Sequence, residues 1–178
     1  MPINTDSIFI INAQSSESLK GWLNYQASLT DRLQKIRGEV QLELISQHWV
    51  NPDWWDKNVL LIQDEHVFKR DIIMKSRGIS YWFARSIIPK KCYDLDPAFF
   101  DRLKNESIKN LVFGNNRVER INWTNYPINH HCIEFYWVKK NINVVDGILW
   151  VRLTEFSFQQ SESFYIVEIM LPELELVL

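Results

Sequence analysis

Glycine is scarce in this chain, five residues in 178. None of them forms a Gly-rich loop of the kind that cradles phosphates, so a nucleotide-binding fingerprint is excluded. Cysteine is scarcer still. Cys92 and Cys132 are the two present, which leaves a disulfide open without implying one; the chain reads as a reduced, cytoplasmic protein. An excess of one charge is missing as well, with 20 Lys plus Arg against 22 Asp plus Glu. No general field draws the molecule to nucleic acid or to an anionic membrane, and any anion must be caught by local charge. No apolar run approaches the roughly 18 to 20 residues that span a bilayer. The stretch Met1 to Asn12 has one short apolar group, no basic segment before it and no small-residue cleavage site, so it does not read as a secretory signal. No serine or cysteine stands in a recognisable nucleophile motif.

What the chain has instead is bulk: eight tryptophans and ten phenylalanines. That points to an aromatic-rich core, and a chain of this length buries about two thirds of its unfolded surface as one domain, residues 1–178. Helical spacing comes first. Leu19, Trp22 and Leu23 fall on one face between Ser16 and Tyr25. Ser28-Leu29-Thr30-Asp31 opens a second helix as a Ser-x-x-Asp variant of the capping box, with Leu29, Leu33 and Ile36 on one side and Gly38 as its left-handed stop. The period then switches to two, with a strand from Val40 toward Val50. Val67–Met74 and Ile79–Ile88 form a hairpin across Lys75-Ser76-Arg77-Gly78. A second helical group follows, led by Asp96-Pro97 with Phe99, Phe100 and Leu103, and by Ser107–Phe113. Strands are expected again at Val118–Trp123, Ile133–Val138 and Ile148–Phe158, and at the segment after the turn Gln159–Ser163. Strands joined by short turns, with helices in two groups, argue for an α+β fold with a largely antiparallel sheet.

Glu168 is the only residue charged at neutral pH between Phe164 and Leu171. Alternation sets it on the face shared by Phe164, Ile166 and Met170, where an isolated charge costs several kcal/mol unless it is paired, hydrogen-bonded or protonated. It is a candidate catalytic acid; the plain alternative is a structural glutamate paired with a core arginine. Arg70 shares its strand face with Ile72 and Met74, and Arg85 shares one with Tyr81, Phe83 and Ile87. A guanidinium projecting from a sheet into an apolar cavity is a seat for a small organic acid, by two parallel hydrogen bonds, whereas on a solvated edge it is an ordinary snorkelling or paired arginine. Arg152 beside Trp150 has similar character. His130-His131-Cys132 looks like a metal cluster, but consecutive residues of an extended chain point to opposite sides and zinc sites use spaced pairs, so no metal is expected there.

The order and spacing of several segments, spread from Trp22 to Pro172, resemble the chorismate lyase family. They are Trp22-Leu23, Ser28-Leu29-Thr30-Asp31-Arg32-Leu33, Arg70-Asp71-Ile72-Ile73 with Arg85 fifteen residues after Arg70 and Ser86-Ile87-Ile88-Pro89 behind it, Leu111-Val112-Phe113, Leu149-Trp150 with Arg152, and Val167-Glu168-Ile169-Met170-Leu171-Pro172. The resemblance implies an enzyme that converts chorismate to 4-hydroxybenzoate and pyruvate for ubiquinone biosynthesis, without a cofactor. It implies that Arg70 holds the ring carboxylate with backbone help at Leu29 and Ile108, that Glu168 stands near the 4-hydroxyl, and that two helical covers close over the ligand. Ser107-Ile108-Lys109 stands where the family tends to have Pro-Leu-Gly, and Ala84 and Val151 stand where it has glycines. An insertion between Ile121 and Gly147 carries the His-His-Cys run.

On this reading Arg70 and Glu168 carry the reaction, Arg85 supports the site or the enolpyruvyl carboxylate, and Glu168 serves the leaving end as a general acid toward the ether oxygen. The competing reading is a non-catalytic effector-sensing module for small aromatic acids, as in transcription regulators of this general fold. Such modules follow a winged helix, and the helical start before Val40 is too short for one. With no exposed heptad or strongly apolar helix face, a monomer without nucleic-acid or membrane partners is the expectation.

Overall fold

The structure is a computed structural model that describes residues 3–9, 11–144 and 146–177. In chain order the elements are α1 (Glu17–Leu23), α2 (Leu29–Arg37), β1 (Gln41–Val50), α3 (Trp54–Asn58), β2 (Val67–Ser76), β3 (Ile79–Pro89), α4 (Lys90–Tyr93), α5 (Pro97–Asp101), α6 (Lys109–Val112), β4 (Val118–Ile128), α7 (Ile133–Lys139), β5 (Leu149–Phe158) and β6 (Glu162–Met170). The strands make one sheet in the order β1-β2-β3-β6-β5-β4, and every pairing is antiparallel. The fold is α+β, as expected. No helix among the described residues is long and apolar enough to cross a membrane.

Two hairpins build the centre of the sheet. In β2–β3 the pair Ser76↔Ile79 leaves Arg77 and Gly78 as the turn, both at positive φ, which matches the right-handed twist of the strands. The β5–β6 hairpin turns through Gln159 and Gln160, also at positive φ, and β3 then pairs with β6. Because side chains alternate, these central strands divide their residues between two buried layers. On one face the register aligns Arg70, Ser86, Ile166 and Thr154 in one row and Ile72, Ala84, Glu168, Arg152 and Asn125 in the next. Both rows matter below.

That face is covered by two helical groups. Helices α1 and α2 bring Trp22, Leu23, Leu29 and Leu33 onto Met74, Trp82 and Met170. Helices α4, α5 and α6, with the turn after α5, bring Tyr93, Phe99, Phe100, Leu103 and Leu111 onto Phe156, Phe158 and Phe164. Ser16 and Ser28 cap α1 and α2 by accepting from the amides of Leu19 and Asp31, and Gly38 closes α2 at φ 87°. The capping box expected at Ser28 is half made. The Asp31 carboxylate reaches the Lys109 ammonium at 2.7 Å, and Ile36, expected on the buried face, is exposed.

The second face is covered by α3 and α7, whose Trp55 and Trp137 rings meet edge to face at 5.1 Å. Here the sequence misleads. Ile133–Val138 was expected to be a strand from its aromatic and β-branched residues, yet it is the helix α7. Its buried residues are Glu134, Phe135, Trp137 and Val138, a helical spacing, and the Glu134 carboxylate accepts from Trp55 Nε1 and Tyr126 Oη. These tertiary bonds override a weak local preference. Helix α3, opened by a full capping box between Asp53 and Asp56, lies in a segment to which the sequence pattern assigned no element.

Candidate active site

Between the two helical groups, over the centre of the first face, lies a pocket. Its floor is the two rows of the sheet: Arg70, Ser86, Ile166 and Thr154, then Ile72, Ala84, Glu168 and Arg152. Its roof is Ser28, Leu29 and Thr30 at the start of α2, and Ser107, Ile108 and Lys109 at the start of α6.

Arg70 stands at one side. It is 4% exposed and has no ion-pair partner among the described residues. Its one hydrogen bond runs from Nη2 to the Glu106 carbonyl at 3.3 Å, and its Nε is buried without an acceptor. Burial alone pulls its pKa below the usual arginine value. A desolvated cation in this state is a seat for an anion. The roof adds to it, because the first-turn amides of a helix lack intrahelical acceptors and carry the positive end of its dipole; Leu29 and Thr30 occupy that position in α2.

Glu168 stands toward the other side. Arg152 is its neighbour in the row and donates from Nε to Glu168 Oε2 at 2.6 Å, and from Nη1 to the Tyr25 carbonyl at 2.7 Å. Arg152 is buried and Glu168 is partly buried, with side-chain exposures of 6% and 14%. Arg152 therefore does two things: it fixes the carboxylate and ties the α1–α2 connection to the sheet. Glu168 is the one carboxylate among the residues that line the pocket.

The residues expected at the site divide as follows. Arg70, Glu168, Leu29 and Ile108 come together around this one cavity. Arg85 does not. It pairs across the ladder with Asp71, on the opposite face from Arg70, where its Nε and Nη2 donate to the two Asp71 carboxylate oxygens at 2.8 Å each. Trp137 of α7 lies 4.1 Å from its guanidinium. Two of the apolar neighbours that suggested a pocket, Phe83 and Ile87, belong to the second core layer, while Tyr81 packs with the first. Arg152, which the sequence ranked behind Arg85, lines the pocket, and so do Arg120, Ser86 and Thr154, which the sequence reading did not single out. Ser86 was not legible as Arg70's partner: a register shift between Met74 and Lys75 sets it opposite Arg70, whereas a four-residue turn Lys75-Ser76-Arg77-Gly78 would set Phe83 there. The His130-His131-Cys132 run lies outside the pocket, in the turn before α7, with Cys132 buried and both histidines exposed.

Comparison with known proteins adds to this geometry. The family described as Chorismate lyase matches residues 11–174. A chorismate pyruvate-lyase from Pectobacterium carotovorum subsp. carotovorum (strain PC1) is 23% identical over 150 residues, covering 84% of this chain and 81% of the relative. A transcriptional regulator of the GntR family from Bacillus cereus superposes with a TM-score of 0.56 at 15% identity, over 76% of this chain and 93% of that one. The effector domain of PhnF from Mycobacterium smegmatis gives 0.54 at 11% identity, over 83% and 90%. At such identities the two regulators share the fold, and the likeness carries nothing further.

Proposed function

The chain belongs to the chorismate lyase family, and from that premise we propose that it eliminates pyruvate from chorismate to give 4-hydroxybenzoate for ubiquinone biosynthesis. The single observation that carries this reading is a buried guanidinium without an acid, Arg70, sharing a cavity with a carboxylate already held by another arginine. Arg70 and the amides at Leu29 and Ile108 take the ring carboxylate. Glu168 then faces the end of the ring that bears the 4-hydroxyl and the ether.

The reaction breaks C4–H and C3–O. The C–H electron pair becomes the new C3–C4 π bond of the aromatic ring, and enolpyruvate leaves with the ether electrons, takes up a proton and becomes pyruvate. A carboxylate held by Arg152 at 2.6 Å is placed to accept, so Glu168 orients the 4-hydroxyl and receives the C4 proton, in preference to the general-acid role expected from sequence. The arginines stabilise charge on the departing enolate in a site from which the covers exclude water. The same covers retain the aromatic product, so its release is slow. Two buried, unpaired cysteines suit the reducing cytoplasm in which we place this activity.

Incubating the purified protein with chorismate tests the proposal. The expected result is 4-hydroxybenzoate and pyruvate in equal amounts. Tight binding of 4-hydroxybenzoate with no turnover would make the chain a ligand-sensing module, and neither binding nor turnover would remove the pocket from both readings.

A further inference from the structure

We infer that the pocket holds a second anion seat, made by the Arg120 guanidinium on the β4 side, which takes a second carboxylate and so selects dicarboxylate ligands. The inference rests on the aromatic-acid reading of the pocket given above and assigns a further residue to it.

Charge within the lining leads there. Arg70, Arg120 and Arg152 face one another across the cavity with Glu168 as the one carboxylate, an excess of two positive charges; the Lys109 ammonium is already tied to Asp31. Arg70 and Arg152 are buried and Arg120 is half-buried, and charge of one sign drawn away from water is costly without a counter-ion. A ligand with one carboxylate answers half of the excess. A ligand with two answers all of it.

Arg152 is the poorer second seat, because two of its three guanidinium nitrogens, Nε and Nη1, are committed to Glu168 and to the Tyr25 carbonyl. Arg120 is uncommitted: it has no ion-pair or hydrogen-bond partner among the described residues, and its Nε is buried without an acceptor. The Phe156 and Trp123 rings, each 5.8 Å from its guanidinium carbon, flank the group without using its donors. Burial first, and then the Arg152 charge, pull its pKa down, a repulsion that a bound anion would relieve.

Backbone geometry puts the arginine there. The β4–β5 register slips between Arg120 and Asn122, so that Arg120 opposes Phe156 while Trp123 opposes Thr154. Phe156 and Thr154 both line the pocket. A bulge of this kind re-aims a side chain, and here it turns Arg120 toward the cavity from an edge strand. Arg70 enters from β2, four strand spacings away, roughly 19 Å between backbones. The two guanidiniums thus reach inward from opposite walls, and Glu168 lies between them on β6. A ring carboxylate at Arg70 leaves the other substituted end of the ring, and any carboxylate carried on an ether there, within the field of Arg120. Cleavage of that ether splits one dianion into two monoanions, and the fragment at Arg120 departs while the aromatic acid stays on Arg70.

Two inert probes test this without relying on turnover: 4-hydroxy-3-methoxybenzoate, with one carboxylate, and 3-(carboxymethoxy)-4-hydroxybenzoate, with two. Titration calorimetry on the wild-type protein is expected to show tighter binding of the dicarboxylate. In Arg120→Gln that advantage falls by about tenfold or more, the loss expected for a charge-assisted contact, while the monocarboxylate changes by no more than about threefold through the distant charge. Arg120→Lys, which keeps the charge and loses the fork, retains part of the advantage. Equal loss for both probes, or an unchanged advantage in a folded Arg120→Gln, overturns the second seat and leaves chorismate turnover by the wild type as a separate result. Failure of the wild type to bind either probe overturns the seat and the aromatic-acid pocket together.

Discussion

A guanidinium with a single neutral acceptor, the Glu106 carbonyl, has lost water without gaining an anion. Replacing Arg70 by alanine should therefore weaken 4-hydroxybenzoate binding by about tenfold or more, on the order of 1.5 to 3 kcal/mol; calorimetry on the folded variant checks this, and unchanged affinity would remove Arg70 from the site. Arg70 and Glu168 were legible in the sequence because each is an ionisable residue in a strand otherwise apolar on its own face, and period-two alternation is a strict rule. Arg85 passed the same test and was assigned to the wrong layer. In a sheet buried on both sides an arginine among apolar residues lies in one of two cores, and the discriminating clue was adjacent in the chain: Asp71, next to Arg70, is opposite Arg85 in the hairpin register. Arg120 escaped notice because its orientation depends on a bulge, and because the apolar residues near it, Ile121 and Trp123, are the exposed ones.

At the scale of elements, the two covers are joined by the ion pair from Asp31 of α2 to Lys109 of α6. We expect Asp31→Asn to speed 4-hydroxybenzoate release by about two- to fivefold, the upper limit for an exposed ion pair, as followed by stopped-flow fluorescence of the tryptophans. The Lys109 hydrogen bond holds the Asp31 carboxyl below the usual carboxylate range. A lowered value means that the latch is complete above about pH 4 and is lost as pH falls through the lowered value, so release should quicken in that acid range in the wild type and not in Asp31→Asn. Cap and turn chemistry made these elements readable: Ser28, Asp96 and Gly38 all act where the sequence placed them. Helices α4 (Lys90–Tyr93) and α3 carry too few residues for a helical period to show, and α7 is set by partners distant in the chain.

Across the whole molecule, one sheet separates two chemistries. The first face keeps Arg70 and Arg120 without an acid over a cavity, and the second pairs Arg85 with Asp71 inside a packed core. Arg85→Met should cost about 3–5 kcal/mol in urea denaturation, because it strands the Asp71 carboxylate; adding Asp71→Leu should restore most of that loss. Intact stability with lost ligand affinity would return Arg85 to the pocket. Within the first face the labour is divided: Arg70 binds and Glu168 reacts. Glu168→Gln separates the two roles when turnover of chorismate and binding of 4-hydroxybenzoate are measured in one preparation. The kcat is expected to fall by about a hundredfold or more, the contribution of a general base, while affinity for 4-hydroxybenzoate changes far less; near-normal turnover would leave Glu168 as a structural partner of Arg152.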